Sequence, residues 1–199
     1  MPALPALPAV KLTIAEKRQL LSLARITLTK ALVPQQNLEV SQAPLDDTLN
    51  RLKLGCFVTL TLEGELKGCM GCIEGERTLT ELIPALASSS AFSDRRFLPL
   101  VESQLKPLCI EISLLSQMSP IEVKDQMQLQ TYLQGSSLGL VLKEGDRKAV
   151  FLPQVWQQLP EAKDFIEALK AKGGWGRNEW PPNMQVEVFS VTQFSEEKL

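Results

Sequence analysis

Two alternating segments joined by a short acidic turn place the strongest constraint on the fold. Residues 55–62 alternate apolar and threonine side chains, which is typical of a half-buried strand, and residues 66–72 follow after the turn Glu63-Gly64-Glu65. If these three residues form the loop, the facing pairs are Leu62 with Leu66, Leu60 with Gly68, and Val58 with Met70. The sequence therefore predicts an antiparallel hairpin with Cys69 on the opposite face, beside Thr59 and Lys67.

Helix and strand signals follow one another irregularly along the rest of the chain. A Thr-x-x-Glu capping box at Thr13 begins a helix that reaches Leu32, and a second box at Thr78 begins a helix that reaches Phe92. Other predicted elements are strands at 108–115, 138–142, 148–152 and 184–191, and short helices at 155–159 and 162–172. Residues 34–50 show no sustained helical or strand periodicity of apolar residues. This pattern indicates an α+β fold, with an antiparallel sheet flanked by helices.

Charge and composition exclude several classes of protein. The net charge is −2 and the basic residues are scattered, so the chain has no electrostatic footprint for nucleic acid. No stretch approaches the roughly 20 apolar residues that cross a bilayer, and three prolines among the first ten residues oppose a signal peptide. The four cysteines lie in strand-like sequence, which favours reduced thiols and a cytoplasmic location. No heptad pattern indicates an oligomeric state.

Residues 66–72, Leu-Lys-Gly-Cys-Met-Gly-Cys, contain a glycine-flanked cysteine pair in a chain without histidine. Because imidazole is absent, a nucleophile here must be activated by lysine, a carboxylate or backbone dipoles. One hypothesis is that Cys69 is a nucleophile or thiol carrier, with the Lys67 ammonium favouring its thiolate form. The alternative is that Cys69 is a compact buried residue required by tight packing between two glycines.

Two other roles for the cysteines are disfavoured by the predicted strand. Redox exchange between Cys69 and Cys72 requires the two sulfurs to meet, but residues three apart in a strand point to opposite faces. A metal site would need more ligands to converge, and Cys56 and Cys109 lie in separate strands. No metal site is therefore expected, and no motif identifies a cofactor.

Four ordered blocks resemble the AMMECR domain family, and in particular its bacterial branch, the AmmeMemoRadiSam system protein A group. The blocks are Gly55-Cys56-Phe57-Val58-Thr59-Leu60, Leu66-Lys67-Gly68-Cys69-Met70-Gly71, Phe92-Ser93-Asp94-Arg95-Arg96-Phe97 and Phe151-Leu152-Pro153-Gln154-Val155-Trp156. The resemblance covers residues 13–194, which leaves residues 1–12 as a flexible N-terminal tail and residues 195–199 as a second tail. The family hexapeptide is usually Leu-Arg-Gly-Cys-Ile-Gly, so Lys67 and Met70 depart from it.

The resemblance implies a two-lobed α+β fold with the cysteine motif lining a groove. It also implies a pathway shared with a Memo-like protein and a radical SAM enzyme, in a family without an established reaction. Asp94, Arg96 and Phe97 are expected near the site, where the Arg96 guanidinium can hold a carboxylate or phosphate of an anionic small molecule. The alternative for these residues is a salt bridge that anchors the loop, with Phe97 in the core.

Two further expectations concern the glycines and the tryptophans. Gly68 and Gly71 either allow close approach of a ligand or relieve crowding under a crossing helix. Trp156 is expected to pack, whereas Trp175 and Trp180 are expected to be partly exposed and able to contact a protein. Two functions from different classes remain: an enzyme that uses Cys69, and a non-catalytic adaptor or binding module for a protein partner.

Overall fold

The computed structural model describes residues 9–35 and 49–199. The helices are α1 (Ile14–Leu32), α2 (Leu79–Phe92), α3 (Gln126–Leu133) and α4 (Ala162–Lys172). The strands are β1 (Cys56–Leu62), β2 (Glu65–Cys72), β3 (Leu108–Leu115), β4 (Ser119–Ile121), β5 (Gly139–Glu144), β6 (Arg147–Phe151), β7 (Gln185–Phe189) and β8 (Val191–Ser195). Three short 3-10 helices lie at Glu102–Gln104, Pro153–Gln157 and Glu196–Lys198.

These elements belong to two structural units, each with its own sheet. The first unit comprises Val10–Leu115 with Thr192–Leu199, and the second contains Ser116–Val191. One four-stranded sheet has the order β2-β1-β3-β8, and the other has the order β4-β7-β5-β6. Neighbouring strands β1, β2 and β3 pair antiparallel, as do β5, β6 and β7. The predicted α+β class is therefore correct, although the strands form two sheets.

Helix α1 begins at the predicted capping box. The Glu16 backbone N–H donates to Thr13 Oγ1 at 3.2 Å, and the Thr13 backbone N–H donates to Glu16 Oε2 at 2.6 Å. These bonds satisfy backbone donors that the first helical turn leaves open. The apolar side chains at helical spacing are buried in the core of the first unit: Leu20, Leu21, Ala24 and Leu28.

The inner face of the first sheet is closed by α2. Val58 and Leu60 of β1 and Ile110 and Ile112 of β3 are fully buried in one cluster with the apolar side chains of α2. Alternation along both strands places Thr59, Thr61, Cys109 and Glu111 on the other face, where all four are only half-buried. The sheet therefore has one apolar face that is packed and one polar face.

The second unit is built around β5, β7 and α4. Trp156 stacks on Phe165 with ring centroids 3.8 Å apart, which confirms its predicted packing role. Trp175 is only 3% exposed, and its indole N–H donates to Glu144 Oε2 at 3.0 Å, so its predicted exposure is wrong. Trp180 is half-buried against the same core. The glycine and charged residues next to Trp175 in the sequence suggested exposure. The side chain is nevertheless buried, because Glu144 accepts the hydrogen bond that the indole N–H needs.

Four elements differ from prediction. The short helix predicted at 155–159 is a 3-10 helix at Pro153–Gln157. The strand predicted at 184–191 is interrupted at Ser190, and its continuation β8 belongs to the sheet of the first unit. Strand β4 and helix α3 were not predicted, since β4 is only three residues long and the apolar stripe of α3 is narrow. Most of the excursion predicted at 34–50 lies outside the described residues.

Packing extends beyond the predicted domain limits at both ends. Val10 and Leu12, expected in the flexible tail, contact the core of the first unit, while residues 1–8 lie outside the described part of the chain. At the other end Ser195 is buried, and the Glu196 carboxylate forms an ion pair with Arg25 of α1. No helix in the described residues is long and apolar enough to cross a membrane.

Candidate functional site

The β1–β2 hairpin that carries the cysteine motif turns more tightly than predicted. Glu63 and Gly64 both have positive φ, at 51° and 85°, as the two central residues of a type I′ turn require. The pairs Val58 with Met70 and Leu60 with Gly68 are as predicted, but Leu62 faces Glu65 and not Leu66. The register shifts after Leu60, so that Lys67 is the extra residue of a β-bulge.

Cys69 lies on the edge strand β2, on the polar face of the sheet. It faces Thr59 of β1, as predicted, and the Thr59 hydroxyl donates to Cys69 Sγ at 3.3 Å. The cysteine side chain is half-buried and the thiol is free. A hydroxyl donor beside sulfur can stabilise negative charge on it during a reaction, without any imidazole.

Asp94 and Arg96 hold the backbone of Cys69 from the open edge of the sheet. The Cys69 N–H donates to Asp94 Oδ2 at 2.9 Å, and Arg96 Nη2 donates to the Cys69 carbonyl at 3.2 Å. The two side chains also bond each other, with Arg96 Nε 2.9 Å from Asp94 Oδ1 and Nη2 2.7 Å from Oδ2. They occupy the positions that a further strand would use, so they fix Cys69 and block strand addition at this point.

The charge state of this pair is well defined. The Asp94 side chain is 5% exposed in the ion pair. Its pKa lies well below the ordinary value, first because of the hydrogen bond from Arg96 and then because of the Cys69 N–H. The pKa of Arg96 is raised, chiefly by the hydrogen bond to Asp94 and also by its charge interaction with Cys69. Both groups are therefore ionised at neutral pH.

Arg96 retains capacity to bind a ligand. Its side chain is 60% exposed, and Nη1 has no hydrogen-bond partner among the described residues. The guanidinium carbon lies 5.4 Å from the centre of the Phe97 ring, which is half-buried. The structure thus brings Asp94, Arg96 and Phe97 into one group next to Cys69, and Arg96 both anchors the loop and presents free donors.

Gly68 and Gly71 have neighbours within the protein. A Cβ at Gly68 would lie 2.0 Å from the backbone oxygen of Ser90 in α2, and a Cβ at Gly71 would lie 2.2 Å from the Phe57 ring. The Ser90 hydroxyl also accepts from Met70 N–H at 2.9 Å and donates to the Val58 carbonyl at 2.8 Å. Crowding under the crossing helix therefore accounts for Gly68, and packing of an aromatic ring accounts for Gly71.

Lys67 follows the bulge two residues before Cys69. Its side chain is half-buried, and within the described part of the chain its ammonium group forms no hydrogen bond or ion pair. The expected influence of Lys67 on the thiol therefore does not involve a direct contact. An unpaired ammonium group near the motif nevertheless adds positive charge to this face.

The other three cysteines lie in different surroundings. Cys72 packs against the core opposite Cys56, so Cys69 and Cys72 point to opposite faces, as predicted. Burial raises the pKa of Cys56 far above its ordinary value, and burial also raises the pKa of Cys109. All four thiols are free. Among the described residues, no group of three or more histidine, cysteine or acidic residues could hold a metal ion.

Sequence patterns did not indicate two residues of the site. Ser90 joins α2 to the hairpin, and Glu111 lies directly opposite Thr59 on the far side from Cys69. The alternation in residues 108–115 correctly placed Ile110, Ile112 and Leu114 in the core. The same alternation placed Glu111 on the other face. The sequence did not show that β3 pairs with β1, so it did not indicate that Glu111 lies opposite Thr59.

Comparison with known proteins places the chain in a family. The AMMECR1 family model matches residues 21–194. Relatives include Protein MK0488 of Methanopyrus kandleri, 31% identical over 94% of this chain and 92% of its own length, and a protein of Methanosarcina mazei, 30% identical over 94% of each chain. The crystal structure of the uncharacterized protein PH0010 from Pyrococcus horikoshii is similar, with a TM-score of 0.78, 25% identity and 94% of each chain covered. The chain therefore belongs to the AMMECR1 family.

Proposed function

We propose that the protein acts on an anionic small molecule through Cys69, which serves as nucleophile or thiol carrier. The observation that carries this proposal is the placement of a free, half-buried thiol whose sulfur accepts a hydrogen bond from Thr59 while its backbone is held by Asp94 and Arg96. Such fixation reduces the entropy cost of reaction at the sulfur. In the reacting step the Cys69 sulfur supplies the electron pair of the new bond to the electrophilic atom of the substrate. The bond from that atom to its leaving group breaks, the leaving group takes that electron pair, and the thiol proton leaves to solvent.

The free donors of Arg96 support an anionic substrate. A guanidinium group beside a nucleophile can bind a carboxylate or phosphate and orient the rest of the molecule over the sulfur. The Lys67 ammonium, which has no partner among the described residues, contributes charge of the same sign. The resemblance to the bacterial AmmeMemoRadiSam branch supports a step in a pathway with a Memo-like protein and a radical SAM enzyme. The four free thiols support a reducing compartment such as the cytoplasm.

Residue-resolved alkylation tests the thiol. The folded protein is treated with iodoacetamide at several pH values, and the rate at each cysteine is measured by peptide mass spectrometry. We expect Cys69 to react at least about tenfold faster than Cys109, which is also half-buried but has a raised pKa. A Thr59→Val variant, which removes the donor but keeps the shape of the side chain, should slow Cys69 alone. Equal rates at Cys69 and Cys109 would contradict the proposal.

The anion site is tested by the ratio of rates with iodoacetate and iodoacetamide. Arg96→Gln should lower this ratio at Cys69, because the anionic reagent loses its attractive charge. Arg95→Gln is the matched control, since Arg95 is an exposed neighbour outside the bonds that hold Cys69. If both variants lower the ratio equally, the effect comes from net charge and Arg96 has no specific role.

An exposed apolar segment favours a second function, that of a binding module for a protein partner. Leu98 is 82% exposed and Val101 is 50% exposed, directly after the loop that holds Cys69. For a binding module, Leu98→Asp should abolish copurification with the Memo-like or radical SAM protein, while Cys69→Ser should retain it. Met127→Asp is the control, because Met127 is 75% exposed in the other unit. For an enzyme, loss of function should instead follow Cys69→Ser.

A further inference from the structure

Glu111 is the feature of the polar face that the proposed thiol chemistry leaves without a role. It lies on β3, one of the two inner strands of the sheet, and faces Thr59, which in turn faces Cys69. Residues directly opposite each other in antiparallel strands point to the same face of the sheet. Cys69, Thr59 and Glu111 therefore form one row across three neighbouring strands, and two strand spacings separate the first from the last by about 10 Å.

Within the described residues, the Glu111 carboxylate has no hydrogen-bond or ion-pair partner. Among the described residues, every other acidic side chain that is buried or half-buried has a hydrogen bond or an ion pair. These side chains are Glu16, Asp94, Glu144, Glu167, Glu179, Glu187 and Glu196. Glu111 alone is half-buried and makes no such contact within the described ranges. Neither Glu111 carboxylate oxygen is fully buried, so a ligand can reach them, and pairing with a cation would offset the cost of partial desolvation.

Accessible charges of opposite sign lie toward the two ends of the row, while the buried Asp94 carboxylate pairs with Arg96 at the Cys69 end. Arg96 lies beside Cys69 at the edge of the sheet, and Lys67 lies two residues before Cys69 on the same strand. Glu111 lies two strands away, toward the centre of the sheet, with the Thr59 hydroxyl between. A ligand bound along the row would therefore meet positive charge at one end and negative charge at the other.

We infer that Glu111 binds a cationic group of the ligand. The ligand is then a zwitterionic small molecule, with an anionic group at Arg96, a cationic group at Glu111 and its electrophilic atom over Cys69. A ligand ammonium or other cation would supply the partner that Glu111 lacks among the described residues. This inference rests on the proposed function, because it requires the ligand to lie over a reactive Cys69.

Charged thiol reagents of the same chemical type test the inference. Three methanethiosulfonates are used: one with an ethyltrimethylammonium group, one with an ethylsulfonate group and the neutral methyl compound. In each reaction the Cys69 thiol loses its proton to solvent and its sulfur attacks the sulfenyl sulfur of the reagent. A disulfide bond forms, the bond from the sulfenyl sulfur to the sulfonyl group breaks, and methanesulfinate leaves. Rates at Cys69 are measured by peptide mass spectrometry, and the neutral reagent corrects for any change in intrinsic reactivity.

We expect Glu111→Gln to lower the ratio of cationic to neutral rates by about two- to tenfold, the range given by Coulomb attraction at this separation. The effect should shrink in 1 M salt, where the screening length is about 3 Å. Glu102→Gln makes the same change in net charge at an exposed position of the same unit and should leave the ratio unchanged.

Three results would overturn the inference. If Cys69 reacts rapidly but Glu111→Gln leaves the ratio unchanged, Glu111 does not act on a cation above the thiol, and the proposed function survives. If Glu102→Gln lowers the ratio as much as Glu111→Gln, the effect is one of net charge. If Cys69 is unreactive toward all three reagents in the folded chain, the thiol function fails and the ligand site centred on it fails as well.

Discussion

The two sheets of this protein have the same number of strands but differ in how their charges are satisfied. In the sheet of the second unit, Lys143 Nζ lies 2.7 Å from Glu187 Oε2, and Arg147 bonds both Glu144 and Glu179. In the sheet of the first unit, Glu111 on the polar face forms no ion pair among the described residues, although Asp94 and Arg96 form one at the sheet edge beside Cys69. Paired charges stabilise a fold, whereas unpaired ones at half-buried positions remain available to a ligand.

The same contrast appears for lysine. Lys170 of α4 is 1% exposed, and its ammonium donates to Gln126 Oε1 at 2.7 Å and to the Arg177 carbonyl at 2.6 Å. Burial lowers its pKa, yet its bonds are made within the second unit. Lys67 of the first unit has no such bonds in the described residues. Lys170 therefore serves the packing of the second unit, whereas the Lys67 ammonium is not committed to a bond within the described part of the first unit.

The distribution of two residue types allows each unit to be followed separately. All three tryptophans, at positions 156, 175 and 180, lie in the second unit, and all four cysteines lie in the first. Tryptophan fluorescence therefore reports unfolding of the second unit. Labelling of the fully buried Cys56 reports unfolding of the first.

Gly68→Ala should have the largest effect. The added Cβ would lie 2.0 Å from the Ser90 backbone oxygen, and backbone cannot move aside as a flexible side chain can. We expect the first unit to lose about 3 kcal/mol of unfolding free energy, measured as urea-dependent labelling of Cys56. Gly176→Ala is the control and is read by tryptophan fluorescence because it lies in the second unit; its Cβ would meet nothing closer than 3.6 Å. If Gly68→Ala left the unfolding free energy of the first unit unchanged, the apolar face under α2 would be less tightly packed than described.

Lys170→Met and Lys67→Met test the contrast between the lysines. Lys170→Met leaves two acceptors without donors and should lower the unfolding free energy of the second unit by about 1–3 kcal/mol, read by tryptophan fluorescence in urea. Lys67→Met should change the stability of the first unit by less than about 0.5 kcal/mol. Comparable losses of unfolding free energy in both variants would show that Lys67 is as important for stability as Lys170.

Asp94→Asn should have an intermediate effect that depends on pH. Because the pKa of Asp94 is lowered in the folded state, its bonds stabilise the protein above the ordinary carboxyl pKa of about 4, and this contribution is lost as the pH falls through the lowered value. The stability difference between the wild type and the variant should therefore be full at pH 7 and shrink toward pH 3. Urea unfolding followed by circular dichroism measures this stability difference. A difference independent of pH would contradict an ionised Asp94 carboxylate that holds Cys69.

Glu187→Gln and Glu111→Gln should give the smallest effects and the most direct comparison of the two sheets. Glu187→Gln loses an ion pair with Lys143 and should cost up to about 1 kcal/mol in the second unit. Glu111→Gln loses no partner among the described residues and should leave the first unit within about 0.5 kcal/mol of the wild type. Clear destabilisation by Glu111→Gln would indicate a structural role for this carboxylate.

Local patterns predicted much of the fold. The capping boxes at Thr13 and Thr78 gave the beginnings of α1 and α2, and α4 occupies the predicted residues 162–172. These signals succeed because a cap and a helical stripe involve residues only a few positions apart. The last strand was predicted less well, since its division at Ser190 between two sheets depends on distant partners.

By itself, the sequence determined the class of fold, the two faces of the hairpin and the chemistry available at Cys69, because strand alternation and the absence of histidine are local facts. Tertiary structure alone decided that Asp94 and Arg96 hold the Cys69 backbone across 25 and 27 positions of sequence. It also decided that Glu111 lies in the same row as the thiol. Both results depend on which strands pair and on where the chain returns after α2, and contacts between distant residues are not encoded in local periodicity.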